Sequence, residues 1–384
     1  MLRGFYLTLL IGPTVPVPAP QPVIDALTGV QVTTSAGQAS GFQLTFAMSK
    51  KSPLNTQMLP VGVFDPGIRV ILMVTTNSLP TVLMDGIITQ HTVTPSNEPG
   101  QSTLSVTGQD ISVMMELGNG GVLGALLELP MPFPSLPIAA IIEVLLLKYV
   151  TFGLIPAVVP PLQVDVPVIT ERWFSRTPAD SDLAWINQAA ADVGYVFYID
   201  PGPVPGTNVA YFGPEIRIGV PQPALNVDMD AETNVETLNF TYDGMARKQL
   251  TITILDPITQ KIPITIPIPD VSLLRPPLAV RPAVGMRSAP LEDVANLDPI
   301  RVALLGLAKS SKPDAITGSG TLDVLRYGRP LKARQLVGVR GAGTSYDGLY
   351  YVTSVTHNIK RGEYKQNFSL AREGLISLTS RVIP

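Results

Sequence analysis

The sequence contains only two histidines, His91 and His357, and no cysteine. An imidazole can act as a general base or bind a metal ion, but either role needs further side chains at motif spacing. No such partners accompany either histidine. The absence of cysteine excludes disulfides, thiolate zinc sites and cysteine nucleophiles. We therefore expect structural histidines, no catalytic residue, no metal site and no cofactor, and a protein that is not an enzyme.

Both histidines lie in segments with the same order of turn, strand, hairpin loop and strand. The segments are 85–106 around His91 and 347–370 around His357. The repeated order predicts one β-barrel-like unit used twice, with the two histidines at matching places. Because three copies of such a chain carry six similar units, the repeat also predicts a ring of six.

The composition points to extensive contacts between subunits. The 384-residue chain has 45% hydrophobic residues but only 15% charged residues, against about 25% charged in ordinary soluble domains. A monomer of this size needs a charged surface for solubility, so the shortage indicates that other subunits cover much of the surface. The net charge of −3 offers no basic surface, and we expect no sequence-specific nucleic-acid partner.

The strand and helix signals predict a mainly β fold with an α/β insertion. Residues 1–116 are expected to form a first antiparallel β-barrel, with period-two alternation from Phe42 to Met48. Residues 117–225 are expected to form a small middle domain. Residues 226–384 are expected to form a second, similar β-barrel with one packed helix, which the sequence places at 298–309.

Two segments of the predicted middle domain carry helix signals. The apolar run 138–150 spans 13 residues, against about 20 needed to cross a bilayer. It predicts a buried or interface helix, and membrane contact is not expected. In the second segment Thr177 is a suitable N-cap and Pro178 a suitable first residue. Gly194 is the expected stop of this helix.

One further strand carries prolines. Isoleucine alternates with other residues over 262–268, and Pro263 and Pro267 lie among them. Because proline blocks a central ladder, this segment is expected to be an edge strand or a projecting arm. An arm of this kind could pair with a strand of a neighbouring subunit.

The stretches 176–198 and 318–368 resemble motifs of the phage late control protein D family, the central hub of contractile-tail baseplates. They are also similar to the N-terminal hub region of VgrG spike proteins. We expect the residues that carry the resemblance to serve in packing. They are Asp182, Leu183, Trp185, Ile186 and Gly194 in the middle of the chain and Asp347, Gly348, Tyr350, His357, Tyr364 and Phe368 near its end.

The resemblance implies a structural baseplate hub with two tail-tube-like β-barrel domains. It implies a homotrimer that forms a pseudo-sixfold ring between an inner tube or tube-initiator protein above and a spike below. No spike-like segment follows the last predicted barrel, so the spike is expected to be a separate protein. Other baseplate proteins are further expected partners. Assembly in the cytoplasm and incorporation into a phage tail or phage-tail-like particle are expected.

Two other functions stay open at this level. A tail-associated cell-wall hydrolase would need paired carboxylates or a metal cluster in a pocket. A surface carbohydrate-binding protein would need exposed aromatic platforms, and aromatic residues are only 6% of the sequence.

Overall fold

The computed structural model describes residues 4–98, 100–117, 137–161, 181–255, 263–267, 275–284, 287–290, 314–379 and 382. Strands dominate these residues, and the largest element is a single 13-stranded sheet. The predicted mainly β class is therefore confirmed.

The first repeat unit is built from strands with one buried face. In the strand Gly41–Met48 every second side chain is buried, from Phe42 to Met48, as the alternation predicted. Two short helices, α1 (Gln21–Ala26) and α2 (Val113–Leu117), accompany this unit. Its strands are β1 (Phe5–Gly12), β2 (Val17–Pro18), β3 (Leu27–Ser35), β4 (Gly41–Met48), β5 (Arg69–Thr76), β6 (Leu79–Thr94) and β7 (Ser102–Asp110).

The middle of the chain forms a separate three-stranded sheet packed against two helices. The apolar helix is confirmed as α3 (Ile138–Leu147), with one face buried. The helix α4 (Asp182–Asp192) follows. No helix within the described ranges is long and apolar enough to cross a membrane. The strands are β8 (Leu154–Val158), β9 (Val196–Pro201) and β10 (Asn208–Gly213).

The predicted start of α4 was wrong. The helix begins at Asp182 with Ser181 as its N-cap, because the Ser181 hydroxyl accepts a hydrogen bond from the Ala184 backbone N–H at 3.1 Å. Thr177 lies outside the described residues. The predicted stop is confirmed, since Gly194 follows the helix with a φ of +72°.

The second repeat unit contains a short helix, α5 (Val324–Tyr327). The predicted proline-bearing edge strand is confirmed, because it lies at the edge of a small three-stranded sheet. Its pairing with a neighbouring subunit stays a prediction, and the predicted helix at 298–309 lies outside the described residues. The strands are β11 (Gln222–Asn226), β12 (Val235–Tyr242), β13 (Lys248–Leu255), β14 (Pro263–Pro267), β15 (Ala279–Pro282), β16 (Arg287–Pro290), β17 (Ile316–Asp323), β18 (Leu336–Arg340), β19 (Gly348–Lys360), β20 (Glu363–Arg372) and β21 (Gly374–Ser377).

The two units have the same strand order. Across the sheet, the first unit reads β3, β4, β7, β6, β5, β1, and the second reads β12, β17, β20, β19, β18, β11. Strands that correspond in space also correspond in chain order. Only the outermost pair differs in direction, because β1 runs antiparallel to β5 whereas β11 runs parallel to β18. The predicted duplication is therefore present as a repeated topology.

Two β-bulges recur at the same places in both units. One displaces Thr28 in β3 and Glu236 in β12. The other displaces Thr89 in β6 and Thr353 in β19. A bulge inserts one residue into a strand and shifts its register. Matching bulges therefore align the two units residue by residue.

This alignment corrects the predicted equivalence of the histidines. His91 lies two residues after the displaced residue of β6, and its counterpart in β19 is Val355. His357 corresponds to Val93. The two histidines point to the same face of the repeated strand but occupy positions two residues apart.

Large and small side chains exchange places between the units. In the first unit a Cβ on Gly108 would lie 2.4 Å from the Phe42 ring. The aligned pair in the second unit is Leu370 and Gly318, so the small residue has moved to the other strand. Phe240 fills the space over Gly318, where an added Cβ would lie 2.8 Å from its ring. In both units an aromatic ring therefore packs on a glycine, although the glycine and the ring lie on different strands.

The two predicted β-barrel units are not closed by strand pairing. Within the described residues the outermost strands of each unit do not pair with each other, so each unit is open. The units are instead joined edge to edge, because β19 of the second unit pairs with β3 of the first. A single continuous sheet results.

A buried ion pair of the first unit makes hydrogen bonds to the middle domain. The Arg69 guanidinium contacts the Asp85 carboxylate through two hydrogen bonds of 2.7 Å, and both side chains are buried. Arg69 also donates to the carbonyl oxygens of Phe152 and Gly206, and Asn208 donates to Asp85 at 3.0 Å. The aligned positions in the second unit are two leucines, Leu336 and Leu349.

We predict that Gly318→Ala lowers the free energy of unfolding by about 1–3 kcal/mol, because its Cβ overlaps the Phe240 ring. The matched control is Gly29→Ala, also in a strand, where the nearest atom would lie 4.0 Å away. Urea unfolding of both variants checks the prediction. Equal midpoints for the two would contradict it.

We also predict that Asp85→Leu costs about 3–5 kcal/mol, because it leaves the Arg69 charge buried without a counterion. The double variant Arg69→Leu/Asp85→Leu reproduces the leucine pair of the second unit and should lose less stability than the single variant. Thermal unfolding of the three proteins measures the difference. A double variant no more stable than Asp85→Leu would refute this account.

Candidate assembly interface

The two units meet at a ladder between β19 and β3. The ladder pairs seven residues, from Ser354 opposite Ser35 to Lys360 opposite Gly29. On its open face the hydroxyls of Thr33 and Thr356 lie 3.0 Å apart. This ladder shows how one unit of this protein accepts the edge of another.

His357 lies in the buried face of this ladder. It is opposite Val32 of β3 and Gln366 of β20, and it is almost fully buried. Burial lowers the pKa of His357 to about 3, so the ring is neutral at physiological pH. A neutral buried imidazole is suited to packing between two strands.

The hydrogen bonds around His357 fix how the ring is protonated. The Gln366 amide oxygen accepts from the Leu331 N–H at 2.8 Å, so its NH₂ group faces the imidazole at 3.2 Å from Nδ1. The Tyr364 hydroxyl lies 2.7 Å from the same nitrogen, and burial raises the pKa of Tyr364. An amide NH₂ group can only donate and a hydroxyl can donate, so we assign the tautomer in which Nδ1 accepts and Nε2 carries the proton.

The internal ladder joins an edge of β19 to an edge of β3. The aligned edges, on β6 and β12, have no partner strand among the described residues. The edge of β6 beyond its bulge, residues 90–94, pairs with β7 on one side only. The strand β12 pairs with β17 on one side only. Val93 is 39% exposed and Tyr242 is 44% exposed. Natural edge strands are usually protected by proline, lysine or a covering segment, and residues 90–94 carry neither proline nor charge.

The predicted packing residues of the middle domain are part of its core. Leu183 and Ile186 are buried, and Trp185 packs partly buried against the same cluster. Asp182 is also buried, and its carboxylate accepts from the Tyr149 hydroxyl at 2.8 Å. These residues lie in the middle domain and are not part of the β19–β3 ladder.

The predicted residues near the end of the chain lie around the β18–β19–β20 sheet. Asp347 accepts from the Ala342 N–H at 2.8 Å, which closes the turn before β19. Gly348 has a φ of +115° and leaves no room for a side chain. The Tyr350 hydroxyl donates to the Tyr346 carbonyl at 2.7 Å, and the buried ring of Phe368 packs over Gly320.

Sequence reasoning missed the residues of the unpaired edges. Thr92 and Val93 of β6 and Phe240 and Tyr242 of β12 were not predicted to lie at unpaired edges. Their signal is the alternation of polar and apolar residues in a strand without a protecting charge or proline. Locating them as corresponding edges requires the strand pairing.

Known structures share this fold. The chain matches a tail protein from Neisseria meningitidis MC58 at 13% identity and a TM-score of 0.59, covering 97% of this chain and 98% of that one. It matches the 43 kDa tail protein of prophage MuSo2 from Shewanella oneidensis at 13% identity and a TM-score of 0.60, covering 96% and 99%. It matches a chain of a Francisella PdpA–VgrG complex at 8% identity and a TM-score of 0.53, covering 100% and 60%.

The chain therefore shares its fold with these tail proteins and with a chain of the PdpA–VgrG complex, in agreement with the predicted resemblance to baseplate hubs. No family model and no curated protein sequence matches the chain. The similarity concerns the architecture, since sequence identity to these structures is low.

We predict that His357 makes the protein less stable in acid. Its pKa is about 3 in the folded state and 6.5 without burial, so the unfolded chain binds the extra proton between these values. Stability should be full above about pH 6.5 and fall below it, by up to about 1.4 kcal/mol per pH unit. The variant His357→Gln should lack this part of the slope. Urea unfolding of both proteins at pH 7.5, 6 and 5 tests this. The same dependence of the unfolding free energy on pH in both would contradict it.

Proposed function

We propose that the chain is a structural baseplate hub of a contractile tail or phage-tail-like injection system, and that it works as a homotrimeric ring of six units. The observation that carries the proposal is the pair of unpaired edges on β6 and β12. They correspond residue by residue to the edges that β19 and β3 join within one chain. The fold shared with tail proteins supports the same assignment.

The internal ladder supplies the register of the proposed contact between subunits. In the internal ladder Thr356 faces Thr33. The aligned residues are Thr92 of β6 and Thr241 of β12, so these two would face each other across the subunit boundary. Val93 would face Phe240, in place of His357 and Val32. Three contacts within chains and three between chains would then alternate around one ring.

The energetics favour closure of the ring. Each new ladder would satisfy backbone N–H and C=O groups that are now without a strand partner. It would also cover Val93 and Phe240, which lie on the same side of the sheet as its buried core. Closed rings remove exposed edges altogether, which also prevents uncontrolled edge-to-edge association. A low share of charged residues suits a chain with large permanent contacts.

The proposed hub has no reaction to catalyse. Its upper face would contact an inner tube or tube-initiator protein, and its lower face a separate spike protein, with other baseplate proteins around it. Within each chain we propose the divisions 1–116, 117–225 and 226–384 as domains. Assembly in the cytoplasm would precede incorporation into the particle.

The contact between subunits can be tested by disulfide cross-linking, because the natural sequence has no cysteine. We predict that Thr92→Cys/Thr241→Cys forms covalent trimers under mild oxidation, visible on non-reducing gels and as threefold rings by negative-stain microscopy. The two cysteines would be directly opposed, within the Cα separation that a disulfide spans.

The control is Thr92→Cys/Thr237→Cys, which moves one cysteine four residues along β12 and about 13 Å away. It should stay monomeric on the same gel. Efficient trimer formation by the control, or none by the opposed pair, would overturn the proposed register. A protein that remains monomeric at all concentrations in light scattering would overturn the ring itself.

A further inference from the structure

One face of the large sheet is covered with uncharged polar side chains. The strands alternate, so that the apolar face is buried and the other is open to solvent. On the open face, serine, threonine, asparagine and glutamine fill position after position in both units, and none of these residues is buried. They are Gln31, Thr33, Ser35, Gln43, Thr45, Gln90, Thr92, Thr94, Thr103, Ser105, Thr107 and Gln109 in the first unit and Asn239, Thr241, Thr317, Ser319, Thr321, Ser354, Thr356, Asn358, Asn367 and Ser369 in the second.

In the described strands β3, β4, β7, β12, β17 and β20, and in β6 and β19 beyond their bulges, the charged residues on this face lie at one end of the second unit. There Lys365 pairs with Glu236 at 2.9 Å and with Glu363 at 3.4 Å, and Lys360 lies beside them. A surface designed for solubility is about 25–35% charged with both signs interspersed. A solvent-exposed sheet of this extent without a central charge is therefore a specific feature that the internal packing does not explain.

The open face would form the inner wall of the proposed ring. The middle sheet packs at the margin of this open face, against Ile87, which lies beside Gln109. The opposite face carries the core, with β1, β5, β11, β18 and the helices α1 and α5. Since the inside of a closed ring has less room than the outside, this bulky layer belongs outside. Eight strands from each of three chains at about 4.8 Å spacing give a backbone bore of about 37 Å.

From this arrangement, and resting on the proposed function, we infer that the open face is a neutral channel wall that retains no charged polymer passing through the ring. Retention of a polyanion needs lysine or arginine, which would release condensed counterions on contact. Retention of a polycation needs carboxylates in the same way. Hydroxyl and amide groups keep the wall wetted without adding net charge, so a charged linear polymer would meet no sign-specific attraction.

The test measures binding of a short linear DNA duplex, and of oligolysine, to the oxidised Thr92→Cys/Thr241→Cys ring at low salt. The neutral wall should retain neither. In the same background, Gln43→Lys/Ser319→Lys puts a lysine at aligned, exposed positions of every unit. This ring should bind the linear duplex at least tenfold more tightly, with an affinity that falls as salt rises, but should not bind a closed circular DNA, which cannot thread the bore.

The matched control is Val61→Lys/Val220→Lys, which adds the same charge at exposed positions outside the strands of this face. It should not distinguish linear from circular DNA. Binding of either polymer by the parent ring would overturn the neutral wall. Equal binding of linear and circular DNA by the Gln43→Lys/Ser319→Lys ring would place the face outside. A failure to form rings would instead reject the proposed function, and microscopy of the same samples separates these outcomes.

Discussion

The structure depends on the need of every strand edge to find a hydrogen-bonding partner. Backbone groups left unpaired away from water are costly, and exposed edges invite uncontrolled association. Within the described residues, the edges of the two units pair with each other where β19 of the second unit joins β3 of the first. The edges of β6 and β12 have no partner strand among the described residues. A second copy of the chain offers the complementary edge. The proposed ring follows from this imbalance.

The two units retain the same strand pairing and bulges but few of the same side chains, so the sequence repeat is faint. The edges must match in register, and both bulges and all central strand pairs are retained between the units. The side chains that fill the core need only conserve volume. Phe42 over Gly108 in one unit becomes Gly318 under Phe240 in the other. Backbone hydrogen bonding fixes the topology, while packing tolerates exchange of large and small residues.

This difference also sets what could be predicted from sequence. Period-two alternation located β4, and the apolar run and Gly194 located α3 and the end of α4. The mainly β class and the internal repeat followed from such local patterns. Register did not, because a single displaced residue such as Thr89 changes which positions correspond, and linear spacing misaligned the histidines by two residues. The open, continuous sheet could not be predicted either, because the pairing of β19 with β3 joins residues more than 300 positions apart.

The two units are alike where they would meet and unlike at their margins. At the margin of the first unit, Arg69 and Asp85 fasten the middle sheet, and at the aligned positions of the second unit stand Leu336 and Leu349. The outermost strands even run in opposite senses, β1 antiparallel and β11 parallel to their neighbours. Each chain therefore carries one middle sheet for two units. On a ring of three chains the inner wall would repeat six times and the periphery three times. The proposed ring would therefore present a sixfold surface through its inner strands and a threefold surface through its margins, both from one protein.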